Sequence, residues 1–363
     1  MGSRHVGQDR AKPGISRFLI EGILPGANRD PAVRLVDLTP FVKRGDVDPK
    51  AFYPAIMDRF SPDGKVCAIP SDIAPTGLIY YNKKIFDEAG VPYPKAPWTW
   101  DDYVATAKKL TNRDKGIWGS YFNLAWEYYF YMIARQRGVS AYKKDGSSNY
   151  DDPAFRDALK FMYDLGETFK VQPTYKEYLA NKYTWDTFAS QGKFGMIYIG
   201  SWFTGLLTDP KTYPRDWKWG IVEAPAAGAN GKNNLMAGGT WAVLKNAKHP
   251  QNAAKYIAYV SENWFREAGG IPARVNLTPA DIQQILGASI AEKSGGSVTV
   301  AELDAALLHN SLGVQDEKIT GAKAKEYTDI IVREAQMYLS GEQSLDATVR
   351  NVKSQADRAL LGK

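Results

Sequence analysis

Residues 195–203 read Gly-Met-Ile-Tyr-Ile-Gly-Ser-Trp-Phe, and this stretch decides the fold class. Met196-Ile197-Tyr198-Ile199 is an apolar run of strand length between glycines, which predicts a buried strand. Ser201 follows at once and is a capping residue type, with a hydroxyl able to accept from the first N–H groups of a helix. A strand delivered straight into a helix start is the repeating joint of α/β proteins. It also places Trp202 beyond the carboxyl end of a strand, where open α/β sheets gather their ligands.

The same alternation extends outward from this joint. Lys65-Val66-Cys67-Ala68-Ile69-Pro70 and Leu78-Ile79-Tyr80-Tyr81-Asn82 predict two strands. Thr99 with Asp102 predicts a capping box, opening a helix that turns Tyr103, Ala107 and Leu110 inward. Asp152-Pro153 predicts a second helix start, with Phe155, Ala158, Leu159, Met162, Leu165 and Phe169 on one stripe. Strands are predicted at Trp219–Val222 and Thr240–Leu244, flanking a loop at 226–239, and His249-Pro250 opens another helix. Two helices close the chain. Tyr327, Ile330, Ile331, Ala335, Tyr338 and Leu339 line the first, which Gly341 ends, and Ser344 caps the second.

A length of 363 residues predicts about two domains. With 44% apolar and 24% charged residues, disorder, collagen and coiled coil are excluded as the main state. The net charge of +6 is spread without a basic run, so nucleic acid and membrane surfaces are not expected partners. Cys67 is the one cysteine, which excludes an internal disulfide and any cysteine-rich metal site.

Catalytic signals are sparse. His5, His249 and His309 have no partners at metal-ligand spacing, so neither metal nor cofactor is expected. Gly200–Gly205 misses the G-x-S-x-G elbow by one residue, and Gly228–Lys232 lacks the phosphate-loop spacing. A spatial pair of carboxylates, as glycoside hydrolases use, stays open as an alternative among 40 acidic residues.

Aromatic residues carry more information. Seven of the eleven positions from Tyr121 to Tyr131 are aromatic, more than one buried helix face uses. Either this run is an aromatic core, or Trp126, Tyr128 and Tyr129, with Glu127 among them, line a surface for a sugar. There the ring faces would meet C–H groups and the carboxylate would take hydroxyls. Trp202 is expected to face a ligand, and Trp241, after Gly238-Gly239-Thr240, is divided between ligand and core.

In order along the chain, several segments together resemble one family. They are Pro70-Ser71-Asp72, the run from Thr76 to Pro92 containing Tyr80-Tyr81-Asn82-Lys83-Lys84, and Pro97-Trp98-Thr99-Trp100-Asp101-Asp102. Gly192-Lys193-Phe194-Gly195-Met196 leading to Gly200-Ser201-Trp202, then Gly238–Val243 and Gly270-Ile271-Pro272-Ala273-Arg274, complete the set. From about residue 35 onward, the chain is similar to the sugar-binding extracellular solute-binding proteins of bacterial ABC transporters.

That resemblance implies an α/β, two-lobe periplasmic-binding-protein-like fold of type II with an interlobe cleft. Residues 35–113 plus 241–312 would form the first lobe and 117–238 plus 320–363 the second, with crossings near Lys115, Gly239 and Gly313. It implies a non-enzymatic monomer outside the cell, at its surface or in the periplasm. Its partners would be a carbohydrate and the permease subunits of an importer. The implied contacts are Asp72, the Trp126–Tyr129 cluster, Ser201, Trp202 as stacking platform, Gly239, Thr240, Trp241, Arg274 and Tyr327. Residues 1–34 form an atypical start without the apolar segment of a secretory signal. Against the family pattern, the first lobe is expected to lack two βα units. A truncated remnant that binds nothing is therefore a third reading.

Overall fold

The structure is a computed structural model and describes residues 35–59, 61, 64–75, 77–122, 132–227, 235–268, 271–308, 315–316, 319 and 323–362. Its strands are β1 (Ile69–Pro75), β2 (Leu78–Asn82), β3 (Trp118–Phe122), β4 (Phe194–Ile199), β5 (Trp219–Glu223), β6 (Leu235–Trp241), β7 (Ile271–Pro272) and β8 (Gln315–Asp316). They form two four-stranded sheets, ordered β7–β1–β6–β8 and β3–β4–β2–β5. Backbone contacts divide the chain into two compact units.

The first unit comprises residues 1–72, 238–268 and 272–276. Leu35 bridges Leu244, and the Val36 N–H donates to the Val243 carbonyl at 2.8 Å, fastening the start of the described chain beside the segment that follows β6. Phe52 bridges Arg274, while the Val275 N–H donates to the Ala51 carbonyl at 2.9 Å. Leu38, Phe41, Ile56, Cys67, Ile69, Val243 and, from the helix Pro250–Ala268, Ile257 are buried in its core.

The second unit comprises residues 73–237, 269–271 and 277–363. β2 lies at the middle of its sheet, antiparallel to β4 (Tyr80 opposite Ile197) and to β5 (Tyr80 opposite Ile221). β3 runs parallel to β4, with Ser120 opposite Met196. Every residue of β2, β4 and β5 is buried, as the unbroken apolar runs require of strands covered on both faces. The helix Trp100–Leu110 opens with the predicted Thr99–Asp102 capping box and covers this sheet. It lies so near β3 that a Cβ on Gly119 would sit 1.9 Å from the Ala107 carbonyl oxygen. The closing helices Ala324–Leu339 and Leu345–Leu361 pack together, and Ser344 caps the second as its type predicts.

Several expectations are corrected. β1 begins at Ile69 and runs on to Pro75, so Lys65–Ala68 are not in a strand. β6 covers Leu235–Trp241, where Gly238-Gly239 reads as loop in isolation; neighbouring strands supply the pairing that local propensity withholds. Tyr121 and Phe122 are core residues of β3, and the rest of the aromatic run, 123–131, lies outside the described residues. Of residues 73–113, β2 and the helices Lys83–Ala89 and Trp100–Leu110 belong to the second unit, because β2 is hydrogen-bonded along both edges within that unit's sheet. The helix Val300–Leu307 belongs there too.

Candidate functional site

The first unit holds the expected contact residues Asp72, Gly239, Thr240, Trp241 and Arg274. Asp72 is half-buried on β1 and accepts a short hydrogen bond, 2.5 Å, from the Ser71 hydroxyl to its Oδ1. Gly239 on β6 makes room for this carboxylate. A Cβ there would lie 2.1 Å from Asp72 Oδ1 and 2.7 Å from Ser71 Oγ, so only glycine fits without displacing one of them. Thr240 is half-buried beside it, whereas Trp241 is 6% exposed and belongs to the core of this unit. Arg274 is engaged elsewhere. Its guanidinium pairs with Glu262 at 3.7 Å, donates from Nε to Asn276 Oδ1 at 3.1 Å and lies over the Phe52 ring.

In the second unit, the chain leaves β4 at Ile199 and turns through a short 3₁₀ segment, Ser201–Phe203. Ser201 is 8% exposed, and its hydroxyl caps no helix. This corrects the expected cap: Ser201 is already inside the turn, so the cap position falls on Gly200, which has no side chain to accept with. The turn is instead held through the Ser201 carbonyl, which accepts from the Thr204 hydroxyl at 2.6 Å and from the Tyr80 hydroxyl at 3.4 Å. Tyr80 and Thr204 also share a hydrogen bond of 2.7 Å, in an interior that pushes the Tyr80 phenol well above its ordinary value. β2 thus pins the turn from below, and Trp202 projects from it with 36% of its surface exposed. Phe203, the next residue, is fully buried.

A residue not singled out by pattern sits beside this indole. Trp185 is half-buried in a polar turn, with its ring centroid 5.3 Å from that of Trp202 and the planes at 79°. One tryptophan among Tyr183-Thr184 and Asp186-Thr187 has no periodicity to mark it. Its isolation among polar neighbours was the available signal. Tyr327, expected at the site, is fully buried. Its hydroxyl is shared with Ser148 at 2.6 Å and donates to the Ala141 carbonyl at 3.0 Å, so packing and hydrogen bonding within the second unit account for it. Trp126, Glu127, Tyr128 and Tyr129 lie outside the described residues. Among the described residues, no three His, Cys, Asp or Glu side chains gather as a metal cage, and no helix is long and apolar enough to cross a membrane.

A sequence profile described as bacterial extracellular solute-binding protein matches residues 26–263, about two thirds of the chain. The chain belongs to that family. The chain is 27% identical over 216 residues to an arabinooligosaccharide-binding protein of Halalkalibacterium halodurans, covering 57% of this chain and 46% of the relative. It is 25% identical over 268 residues to an uncharacterised ABC transporter extracellular-binding protein of Pyrococcus horikoshii, covering 69% of this chain and 56% of that one. The chain therefore spans about half the length of the curated relatives it matches.

Among solved structures, the chain resembles an ABC substrate-binding protein of Listeria monocytogenes in complex with cycloalternan. The TM-score is 0.70 at 24% identity over 91% of this chain and 80% of that one. It also resembles the cyclic α-maltosyl-1,6-maltose binding protein of Arthrobacter globiformis, at TM-score 0.67 and 19% identity over 91% and 80%. These likenesses establish the mixed α/β fold of two-lobe periplasmic binding proteins. The family consists of substrate-binding proteins.

Proposed function

We propose that this solute-binding protein captures a neutral carbohydrate outside the cytoplasm and passes it to the permease of an ABC importer, acting as a monomer and breaking no bonds. The observation that carries the reading is the part-exposed Trp202 indole on a turn locked to the end of β4. An indole held out of the core at a strand's carboxyl end offers an apolar face to sugar C–H groups. The names of the arabinooligosaccharide-binding relative and of the cycloalternan complex support carbohydrate as the ligand class.

In the first unit we assign Asp72 to a sugar hydroxyl. An ionised carboxylate accepts at up to about four lone-pair positions, and Ser71 occupies one of them. Gly239 serves this contact by leaving room for the carboxylate, and Thr240 is the neighbouring hydroxyl on β6. In the second unit Trp202 is the platform, with Ser201 supplying the backbone anchor of the turn.

Isothermal titration of the full chain with arabinotriose, maltotriose, cyclic maltosyl-maltose and mannitol tests the reading. Saturable binding of at least one carbohydrate, with no consumption of the ligand on prolonged incubation, is the expected result. Absence of heat and of any thermal shift with all four, or steady hydrolysis of one, would overturn it.

A further inference from the structure

We infer that Trp185 fixes the orientation of the Trp202 indole, so that the second unit presents two perpendicular rings as a corner. The purpose of this corner rests on the sugar-binding reading above; its existence rests on geometry alone. At 5.3 Å between centroids and 79° between planes, the edge of one indole meets the face of the other, the arrangement that the ring quadrupole favours. Phe203 adds a second perpendicular neighbour to Trp202 at 6.0 Å and 88°.

The turn that carries Trp185 is held on both sides. Upstream, the helix Tyr175–Ala180 closes with the Lys182 N–H donating to the Leu179 carbonyl and the Tyr183 N–H to the Tyr178 carbonyl, both at 3.1 Å. That is the paired closure of a Schellman motif, with Lys182 at φ 53° in the left-handed position that glycine usually fills. A non-glycine residue stays in that conformation when its surroundings over-determine it. Tyr183 then packs edge-on against Phe194 at 5.7 Å.

Downstream, the Thr184 N–H donates to the Thr187 hydroxyl at 2.8 Å, and the Thr184 carbonyl accepts from the Tyr121 hydroxyl at 2.7 Å. The helix Thr187–Gln191 begins immediately afterwards. Trp185 therefore projects from a fixed backbone toward a second fixed backbone, the Ser201–Phe203 turn. A perpendicular ring at contact distance restricts the rotation of the Trp202 indole about its side-chain bonds. A binding side chain ordered in advance spares its immobilisation on association, worth about two- to tenfold in affinity.

The test uses the full chain with 5-fluorotryptophan at its ten indoles, the Trp202 fluorine resonance being identified by its disappearance in Trp202→Phe. In Trp185→Leu the Trp202 line is expected to sharpen as the indole averages over rotamers, while the buried Trp219 and Trp100 lines stay in place as a check on folding. Trp185→Phe, which restores a ring edge, is expected to return the unsubstituted linewidth. Titration with arabinotriose or maltotriose, whichever binds, is expected to show affinity two- to tenfold weaker in Trp185→Leu and recovered in Trp185→Phe. An unchanged Trp202 linewidth in Trp185→Leu overturns the inference, and so does full affinity despite a sharpened line. If neither sugar binds the unsubstituted chain, the sugar reading fails, and the fluorine linewidths alone decide the orientation.

Discussion

Replacing Gly239 with alanine isolates one arrangement in the first unit. The added Cβ would lie 2.1 Å from Asp72 Oδ1 and 2.7 Å from Ser71 Oγ, both far inside contact distance. The Ser71 hydroxyl can rotate away, but the carboxylate must swing off the strand and give up the 2.5 Å bond that it accepts. A hydrogen bond to a charged group is worth about 1.5–3 kcal/mol, and the lower end applies because Asp72 is only half-buried and water takes over part of the loss. Gly239→Ala is therefore expected to destabilise the first unit by about 1.5–2 kcal/mol.

The assay is urea unfolding, compared in a double-mutant cycle with Asp72→Ala. Without the carboxylate the new methyl meets only the rotatable hydroxyl, so its cost should fall below about 0.5 kcal/mol and leave a coupling of more than about 1 kcal/mol. If the two substitutions add within about 0.3–0.5 kcal/mol, the contact does not restrain Asp72 and the reasoning is wrong.

Tyr80→Phe removes the hydroxyl shared with Thr204 at 2.7 Å and is expected to cost about 1 kcal/mol in urea melts, with a changed emission from Trp202. An unaltered midpoint would detach β2 from the turn. Gly119→Ala drives a methyl to within 1.9 Å of the Ala107 carbonyl oxygen, where backbone must move. A loss at or beyond the upper end of the roughly 1–3 kcal/mol seen for overpacking is expected in thermal melts. Burial alone would raise the Glu334 carboxyl. Hydrogen bonds from Gln355 (2.9 Å), Gln343 (3.1 Å), Asn351 (3.2 Å) and Arg333 (3.3 Å) outweigh it and hold the carboxyl below its ordinary 4.5. Its contribution is complete above the unfolded value and is lost as the pH falls through the lowered native one. Glu334→Gln should accordingly flatten the fall in melting temperature between about pH 5 and pH 3, and an unchanged slope would contradict the network.

Local chemistry made much of the second unit legible. The Thr99–Asp102 box, the Asp152-Pro153 start, the Ser344 cap and the β2 and β4 strands each depend on neighbours a few residues apart. Features set by distant chain were hidden. β6 runs through a Gly-Gly pair because strands on either side pair with it, and β2 joins the second unit because β4 and β5 claim both its edges. At the candidate site, Trp202 was readable from its place after a strand. The engagement of Arg274 with Glu262 and the burial of Tyr327 and Trp241 depend on contacts that no spacing encodes. Trp185 was missed for the same reason, since only the fold brings its ring to Trp202.

The Trp202 ring is the contact on which carbohydrate affinity is expected to depend most directly. Calorimetric titration of the tightest-binding carbohydrate into the unsubstituted chain, Trp202→Phe and Trp202→Ala measures it. The expected series is a modest loss for phenylalanine and a loss of about 1–3 kcal/mol for alanine, the scale of an aromatic face withdrawn from contact. Equal affinities across all three would show that sugar is held without this indole, and would contradict the central claim.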